Sequence, residues 1–131
     1  MILAVDASAL VAIALAEPEA DEVAACLQGA TEAYVTPVNL LEAGLAVVLR
    51  RGRMTAPQFS NWVGAQNVEP FDVDGFAAMA AYLAYGKGVH RAGLNLGDCF
   101  AYALAKQLGA ALLYKGDAFA MTDIRSALQP T

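Results

Sequence analysis

The chain has 131 residues, of which 58% are hydrophobic and 16% charged, and its 8 Lys and Arg against 13 Asp and Glu give a formal net charge of −5. This composition excludes disorder as the dominant state, because the chain has enough apolar side chains to bury a core. The acidic balance argues against a protein that binds nucleic acid through a basic surface, but it leaves open RNA contact through metal ions. We predict one domain over residues 1–131.

The start of the chain bears on location. Its longest uncharged apolar stretch there, residues 7–16, is ten residues long, about half of what a membrane-spanning helix needs. The first basic residue is Arg50, so the positive leading region of a signal peptide is missing. We therefore expect a cytoplasmic protein without membrane association. Cys26 and Cys99 are too few for a disulfide scaffold, and both are expected to be reduced.

Short apolar runs alternate with helical segments along the chain. The run Ile2–Val5 ends at Asp6 and predicts a buried parallel strand. Ser8 is expected to cap the helix that follows, and a second helix begins after Pro18 and ends at Gly29.

The rest of the chain continues this alternation. A strand is predicted at 33–35, followed by a long helix from Thr36 to about 50–53, a helix from Thr55 through Trp62 and a strand at 68–73. Asp74 caps a predicted helix that carries Phe76, Met79, Ala80 and Leu83, and a glycine-rich loop follows at 86–93. A helix at 96–108 capped by Asn95 and a strand at 111–114 complete the predicted elements. Right-handed crossovers between such strands predict an α/β fold. We expect a three-layer α/β/α sandwich around a short, mainly parallel sheet.

Four acidic residues stand apart from helix starts, caps and polar connections: Asp6, Glu42, Asp98 and Asp117. Asp6 and Asp117 follow predicted strands, at the edge of an open α/β sheet where ligands bind. Glu42 is the only charged residue between Tyr34 and Arg50, and an unpaired carboxylate in such a stretch is costly to bury. Asp98 lies in a first helical turn, where the helix dipole alone can account for it.

These acids have a chemical use if the fold brings them together. Clustered carboxylates repel one another, and a divalent cation removes that cost. Oxygen ligands suit Mg²⁺ or Mn²⁺. On the residues alone, a metal site and separate structural roles both stay open, because spacing does not show that the four converge.

Four blocks of sequence carry a resemblance. They are Asp-Ala-Ser at 6–8, Asn-Leu-Leu-Glu-Ala at 39–43, the Leu-Gly-Asp segment at 94–105 and the Lys-Gly-Asp segment at 113–119. Their order and spacing resemble the PIN-domain ribonucleases, specifically the VapC-type toxins of bacterial toxin–antitoxin pairs. The resemblance implies that Asp6, Glu42, Asp98 and Asp117 hold Mg²⁺ or Mn²⁺ and that the protein hydrolyses RNA to leave a 3′-hydroxyl and a 5′-phosphate.

The same resemblance implies a small inhibitory antitoxin and a homodimer. Ser8 and Thr36 fall where the family often has a hydroxyl at the rim of the site, although helix capping also explains both. Many relatives carry a second acid directly after the position of Asp117, where this chain has Ala118. That departure bears on whether a second metal ion is held.

Basic residues are candidates for RNA phosphate contacts, because Arg offers bidentate geometry and bound phosphates release counterions. They are Arg50, Arg51, Arg53, Lys87, Arg91 and Lys115. Each also has an ordinary explanation at a helix end or in a solvated loop. The only histidine, His90, lies in the predicted loop, and a metal-dependent hydrolysis needs no histidine base.

Two other functions stay open. A non-catalytic α/β module that binds protein or RNA would be expected to pair a buried Glu42 with a basic residue. A phosphatase with an Asp nucleophile would carry a second Asp close after Asp6, where this chain has Ser8.

Overall fold

One parallel sheet of four short strands organises the computed structural model, which describes residues 1–128. The strands are Ile2–Val5 (β1), Glu32–Val35 (β2), Val68–Pro70 (β3) and Ala111–Leu113 (β4). They lie in the order β3-β2-β1-β4, and every neighbouring pair is parallel. The carboxyl ends of all four strands therefore meet at one edge of the sheet.

Helices connect the strands and cover both faces of the sheet. Within the described residues they are Ala7–Ala14 (α1), Ala20–Gln28 (α2), Pro37–Gly44 (α3), Ala56–Ala65 (α4), Gly75–Tyr85 (α5) and Leu96–Leu108 (α6), and α3 continues into a π-helical segment at Leu45–Arg50. None of the helices found in residues 1–128 is long and apolar enough to cross a bilayer.

The core consists of two apolar layers separated by the sheet. Leu3 and Val5 of β1 pack on the side of α1 to α4, whereas Ala4 packs on the side of α5 and α6. This alternation follows from the period of two in a strand, and both sides are apolar because helices cover both faces. The predicted three-layer α/β/α sandwich with a parallel sheet is confirmed.

Local capping chemistry sets most helix starts. The prediction that Ser8 caps α1 is wrong: Asp6 is the cap, and its carboxylate accepts the Ser8 N–H at 3.1 Å. Thr36 caps α3 by accepting the Asn39 N–H at 3.1 Å. The predicted cap Asn95 is confirmed.

Two other predicted features differ in the structure. The strand predicted at 68–73 ends at Pro70, although the N–H of Phe71 still donates to the Val35 carbonyl at 2.8 Å. The long helix changes to π geometry after Gly44, with a bond of 3.0 Å from the Arg51 N–H to the carbonyl of Ala46. An apolar run predicts a helix, but it does not predict which carbonyl each N–H selects.

The predicted helix capped by Asp74 is present as α5, and its large apolar side chains lie on its outer face. Phe76, Met79 and Leu83 are exposed, and α5 buries Ala78 and Ala81 instead. Small residues permit close packing of α5 on α6, so the large side chains lie on the outer face.

Candidate active site

Asp6 lies at the carboxyl end of β1, in the middle of the edge where the strands end. It is 6% exposed. Its Oδ2 accepts the Ser8 N–H at 3.1 Å and the Ser8 hydroxyl at 2.6 Å. The Ser8 Oγ in turn accepts the backbone N–H of Lys115 at 3.0 Å, which ties the end of β1 to the loop after β4. The Ser8 hydroxyl therefore fixes the orientation of the Asp6 carboxylate.

Glu42 lies on α3 and reaches the first turn of α6 through a buried amide. The Nδ2 of Asn39 donates to Glu42 Oε1 and to the carbonyl of Gly97, both at 2.9 Å. The Thr36 hydroxyl donates to Asn39 Oδ1 at 2.6 Å, and Thr36 is fully buried. The structure thus gives Thr36 the helix-capping role rather than a place on an open rim.

Asp98 lies in the first turn of α6 and forms a reciprocal capping box with Asn95. The Asp98 N–H donates to Asn95 Oδ1 at 2.8 Å, and the Asn95 N–H donates to Asp98 Oδ2 at 3.1 Å. The explanation of Asp98 as a helix-start residue is therefore correct for its role at the start of α6. This cap uses one of the two carboxylate oxygens.

Electrostatics link these three carboxylates. Burial raises the pKa of Asp6 from 3.8 to about 6 against the hydrogen bonds from Ser8, and the charges of Asp98 and Glu42 raise it further. Burial also raises the pKa of Glu42, as does the charge of Asp98, while the Asn39 hydrogen bond and the Arg50 charge oppose the shift. Burial raises the pKa of Asp98 against the Asn95 N–H. Three acids from separate elements thus act on one another.

Asp117 is placed differently. It lies in the loop after β4 and is exposed, and its charge is absent from those that shift Asp6, Glu42 or Asp98. Within residues 1–128, no three His, Cys, Asp or Glu side chains lie close enough to hold one metal ion as they stand.

Within residues 1–128, none of the four acids forms an ion pair with a basic residue. The ion pairs in the described part of the chain join Lys106 to Asp123, and Lys115 to Glu17 and Glu19. Lys115, a candidate RNA contact, therefore already has two carboxylate partners at 3.1 Å. The other candidate contacts are exposed, namely Arg50, Arg51, Arg53, Lys87 and Arg91.

The only histidine has a local role. The Nδ1 of His90 accepts the Ala92 N–H at 3.0 Å, and its ring packs edge-on against Tyr85 with centroids 5.0 Å apart. These contacts order the loop after α5.

Sequence reasoning assigned no role to Asn39 or Gly97, which both contact Glu42. A Cβ added at Gly97 would overlap the Glu42 carboxylate. The signal for Asn39 is its position three residues before Glu42, which places two polar side chains on one face of an apolar helix. Gly97 is the glycine of the Leu-Gly-Asp segment, but that segment does not show its contact with Glu42, which joins distant parts of the chain.

Comparisons with known proteins bear directly on this arrangement. The PIN-domain family profile matches residues 3–124. The chain is 41% identical to a ribonuclease VapC of Mycolicibacterium smegmatis over 93% of its own length and 97% of the relative. The chain belongs to the VapC ribonucleases of the PIN-domain family. It is also 39% identical to ribonuclease VapC30 of Mycobacterium tuberculosis, over 98% of its own length and 100% of the relative.

A solved structure agrees on the fold. The crystal structure of M. tuberculosis VapC20, described as a sarcin–ricin loop cleaving toxin, matches with a TM-score of 0.74 at 12% identity. The match covers 93% of this chain and 95% of that one. VapC ribonucleases use divalent metal ions, and the donor chemistry of this site suits such an ion. Asp6, Glu42 and Asp98 are buried or half-buried carboxylates whose charges influence one another, and within residues 1–128 none of them has an ion-pair partner.

Proposed function

We propose that the protein is the toxin of a toxin–antitoxin pair, a metal-dependent endoribonuclease whose Asp6, Glu42, Asp98 and Asp117 hold Mg²⁺ or Mn²⁺. One observation carries this proposal: Asp6, Glu42 and Asp98 come from three separate elements and raise one another's cost of ionisation. Helix capping accounts for Asp6 and for Asp98 separately. It does not account for Glu42, whose charge acts on Asp6, whereas a divalent cation gives all three charges a shared role. Asp117 would join them by movement of the loop after β4.

Three of these four carboxylates have a neighbour that fixes their direction. Ser8 holds Asp6, Asn39 holds Glu42, and Asn95 holds Asp98. A divalent ion held by these carboxylates would supply a water of lowered pKa and would neutralise charge on the phosphate. Hydrolysis would join the water oxygen to phosphorus and break the bond from phosphorus to O3′, and one proton of that water would be transferred to O3′. The products are a 3′-hydroxyl and a 5′-phosphate.

Arg50 is the basic residue that we place nearest the scissile phosphate. Its charge acts on Glu42, and its side chain is exposed at the end of the π-helical segment. A cation there attracts the RNA backbone to a protein whose net charge is −5. We propose the other exposed basic residues as further phosphate contacts: Arg51, Arg53, Lys87 and Arg91. We leave out Lys115, because its ammonium is already paired.

The surface that we assign to the antitoxin is a groove on this chain beside α3, the helix that carries Glu42. An apolar groove of about 570 Å³ runs between α3, the π-helical segment and α4. Leu41, Leu45 and Leu49 border it and are exposed, and Leu41 directly precedes Glu42. We assign the groove to an apolar antitoxin segment whose basic residues complement the acidic site. Leu45→Lys should release the antitoxin without changing cleavage by the isolated toxin.

The outer face of α5 is the surface that we assign to a second copy of the chain. Phe76, Met79 and Leu83 are exposed there, and the helix carries no charged residue. An uncharged apolar face does not attract a charged partner electrostatically, but two copies of it can pack against each other across a two-fold axis. We propose a homodimer through α5, acting in the cytoplasm, where RNA is available.

An RNA cleavage assay tests the proposed activity. Wild type should cleave single-stranded or looped RNA with Mg²⁺ or Mn²⁺ and not with EDTA. Asp6→Asn and Asp98→Asn should each abolish cleavage. Asp74→Asn is the matched control, since Asp74 is an exposed helix cap on α5. Cleavage in EDTA, or full activity of both site variants, would overturn the proposal. RNA binding without any cleavage would instead support the binding module.

A further inference from the structure

Asn39 is a fully buried amide whose hydrogen-bonding groups all have a partner. An Asn amide has two N–H donors and one acceptor oxygen. Its donors go to Glu42 Oε1 and the Gly97 carbonyl, and its oxygen accepts the Thr36 hydroxyl proton. Turning the amide over would place its oxygen against two acceptors. The surroundings therefore fix Asn39 in the one orientation that donates to Glu42.

Gly97 closes the other side of this arrangement. The Glu42 carboxylate lies against the α-carbon of Gly97, where a Cβ would overlap it. Gly97 is buried in the first turn of α6, next to Asp98. Because Asn39 also bonds to the Gly97 carbonyl, the same amide joins α3 to the turn that carries Asp98. Asn39 and Gly97 form what we call the Glu42 seat.

The seat opposes the repulsion between Glu42 and Asp98. The two carboxylates raise each other's free energy when both are charged and no cation is bound. Without these contacts, the Glu42 side chain would rotate away from Asp98, and it would have to be ordered again when a metal ion binds. A side chain held in place beforehand loses less conformational freedom when it binds.

We propose that Asn39 is a positioning residue that holds Glu42 on the Glu42 seat for divalent metal binding. This inference rests on the proposed function, because it takes Glu42 to be a metal ligand. Asn39 itself contacts Glu42 and Gly97, so it acts through Glu42. Outer partners of metal ligands change metal affinity by about 10- to 100-fold when removed.

A double-mutant cycle on Mn²⁺ affinity tests the proposal. Free Mn²⁺ is measured by electron paramagnetic resonance during titration of the full chain, for wild type, Asn39→Leu, Glu42→Gln and the double variant. Asn39→Leu keeps the approximate shape but removes both donors, and it should weaken Mn²⁺ binding by about 10-fold or more. In the Glu42→Gln background the same change should alter affinity by no more than about twofold.

Two further variants keep the test decisive. Val47→Ala shortens a fully buried side chain of the same long helix, so it should lower the melting temperature and leave Mn²⁺ affinity unchanged. Gly97→Ala replaces a poor helix former with a good one, yet its methyl group should displace Glu42 and weaken Mn²⁺ binding. Gly97→Ala remains informative if Asn39→Leu does not fold.

The outcomes separate this inference from the proposed function. If Glu42→Gln binds Mn²⁺ as wild type does, Glu42 is not a ligand and the proposed site fails. If Glu42→Gln weakens binding but Asn39→Leu and Gly97→Ala do not, only the positioning role is overturned. Equal weakening by Asn39→Leu in both backgrounds would also overturn it, because the effect would not pass through Glu42.

Discussion

Replacing Asp6 with Asn should stabilise the metal-free protein at neutral pH. Burial raises the pKa of Asp6 from 3.8 to about 6 in the folded chain, so the folded state binds the proton more tightly than the unfolded state does. Stability is therefore lost as the pH rises from 3.8 through about 6. The raised pKa of Asp6 lowers the free energy of unfolding by about 3 kcal/mol at pH 7.5 and by about 1.5 kcal/mol at pH 5, compared with an Asp6 whose pKa is the same in both states. These are upper bounds on the gain from Asp6→Asn, whose amide oxygen can still accept the Ser8 N–H.

Urea denaturation in EDTA at both pH values measures this gain. Asp74→Asn controls for the loss of one charge at a helix cap, because the Asp74 carboxylate accepts the Ala77 N–H at 2.9 Å on the surface. We expect the control to change stability by less than about 0.5 kcal/mol at either pH. A loss of stability in Asp6→Asn, or an equal gain at both pH values, would show that burial does not strain Asp6 and would refute the reasoning.

Three further predictions concern metal, RNA and assembly. Mn²⁺ affinity should fall below about pH 6, because Asp6 must lose its proton to bind an ion; calorimetry near pH 6 that detects no proton release would contradict this. Arg50→Ala should weaken RNA binding and reduce the slope of log affinity against log salt by about 1. Lys115→Ala should leave RNA affinity unchanged, because the Lys115 ammonium is already paired. A larger effect of Lys115→Ala than of Arg50→Ala would contradict the assignment of Arg50 as a phosphate contact. Phe76→Lys should turn the dimer into a monomer in sedimentation experiments, and an unchanged dimer would exclude the α5 face.

Helix α6 shows what the sequence predicts well. Its start depends on the capping box of Asn95 and Asp98, and its end depends on Gly109 in the left-handed region with φ 61°. Both signals involve residues within a few positions of one another, so the predicted bounds 96–108 are confirmed. The π-helical segment has no such signal, since apolar side chains fit α and π geometry alike.

The candidate site was only partly predictable, because some of its contacts join residues that are far apart in the sequence. Asp6 and Glu42 stand out because one follows a buried strand and the other is alone in an apolar stretch. The bond from Asn39 to the Gly97 carbonyl joins residues 58 positions apart, and only the packing of α3 on α6 reveals it. Asp117 stays a prediction, because its loop leaves it exposed and apart from the other three acids.

Anomalous diffraction from crystals grown with Mn²⁺ tests the central claim most directly. We predict a manganese peak bound by carboxylate oxygens of Asp6, Glu42 and Asp98, at the edge where the strands of the sheet end. Absence of a peak there at millimolar Mn²⁺, or a peak only at the exposed acids of the α2 start, would contradict a catalytic metal site in this protein.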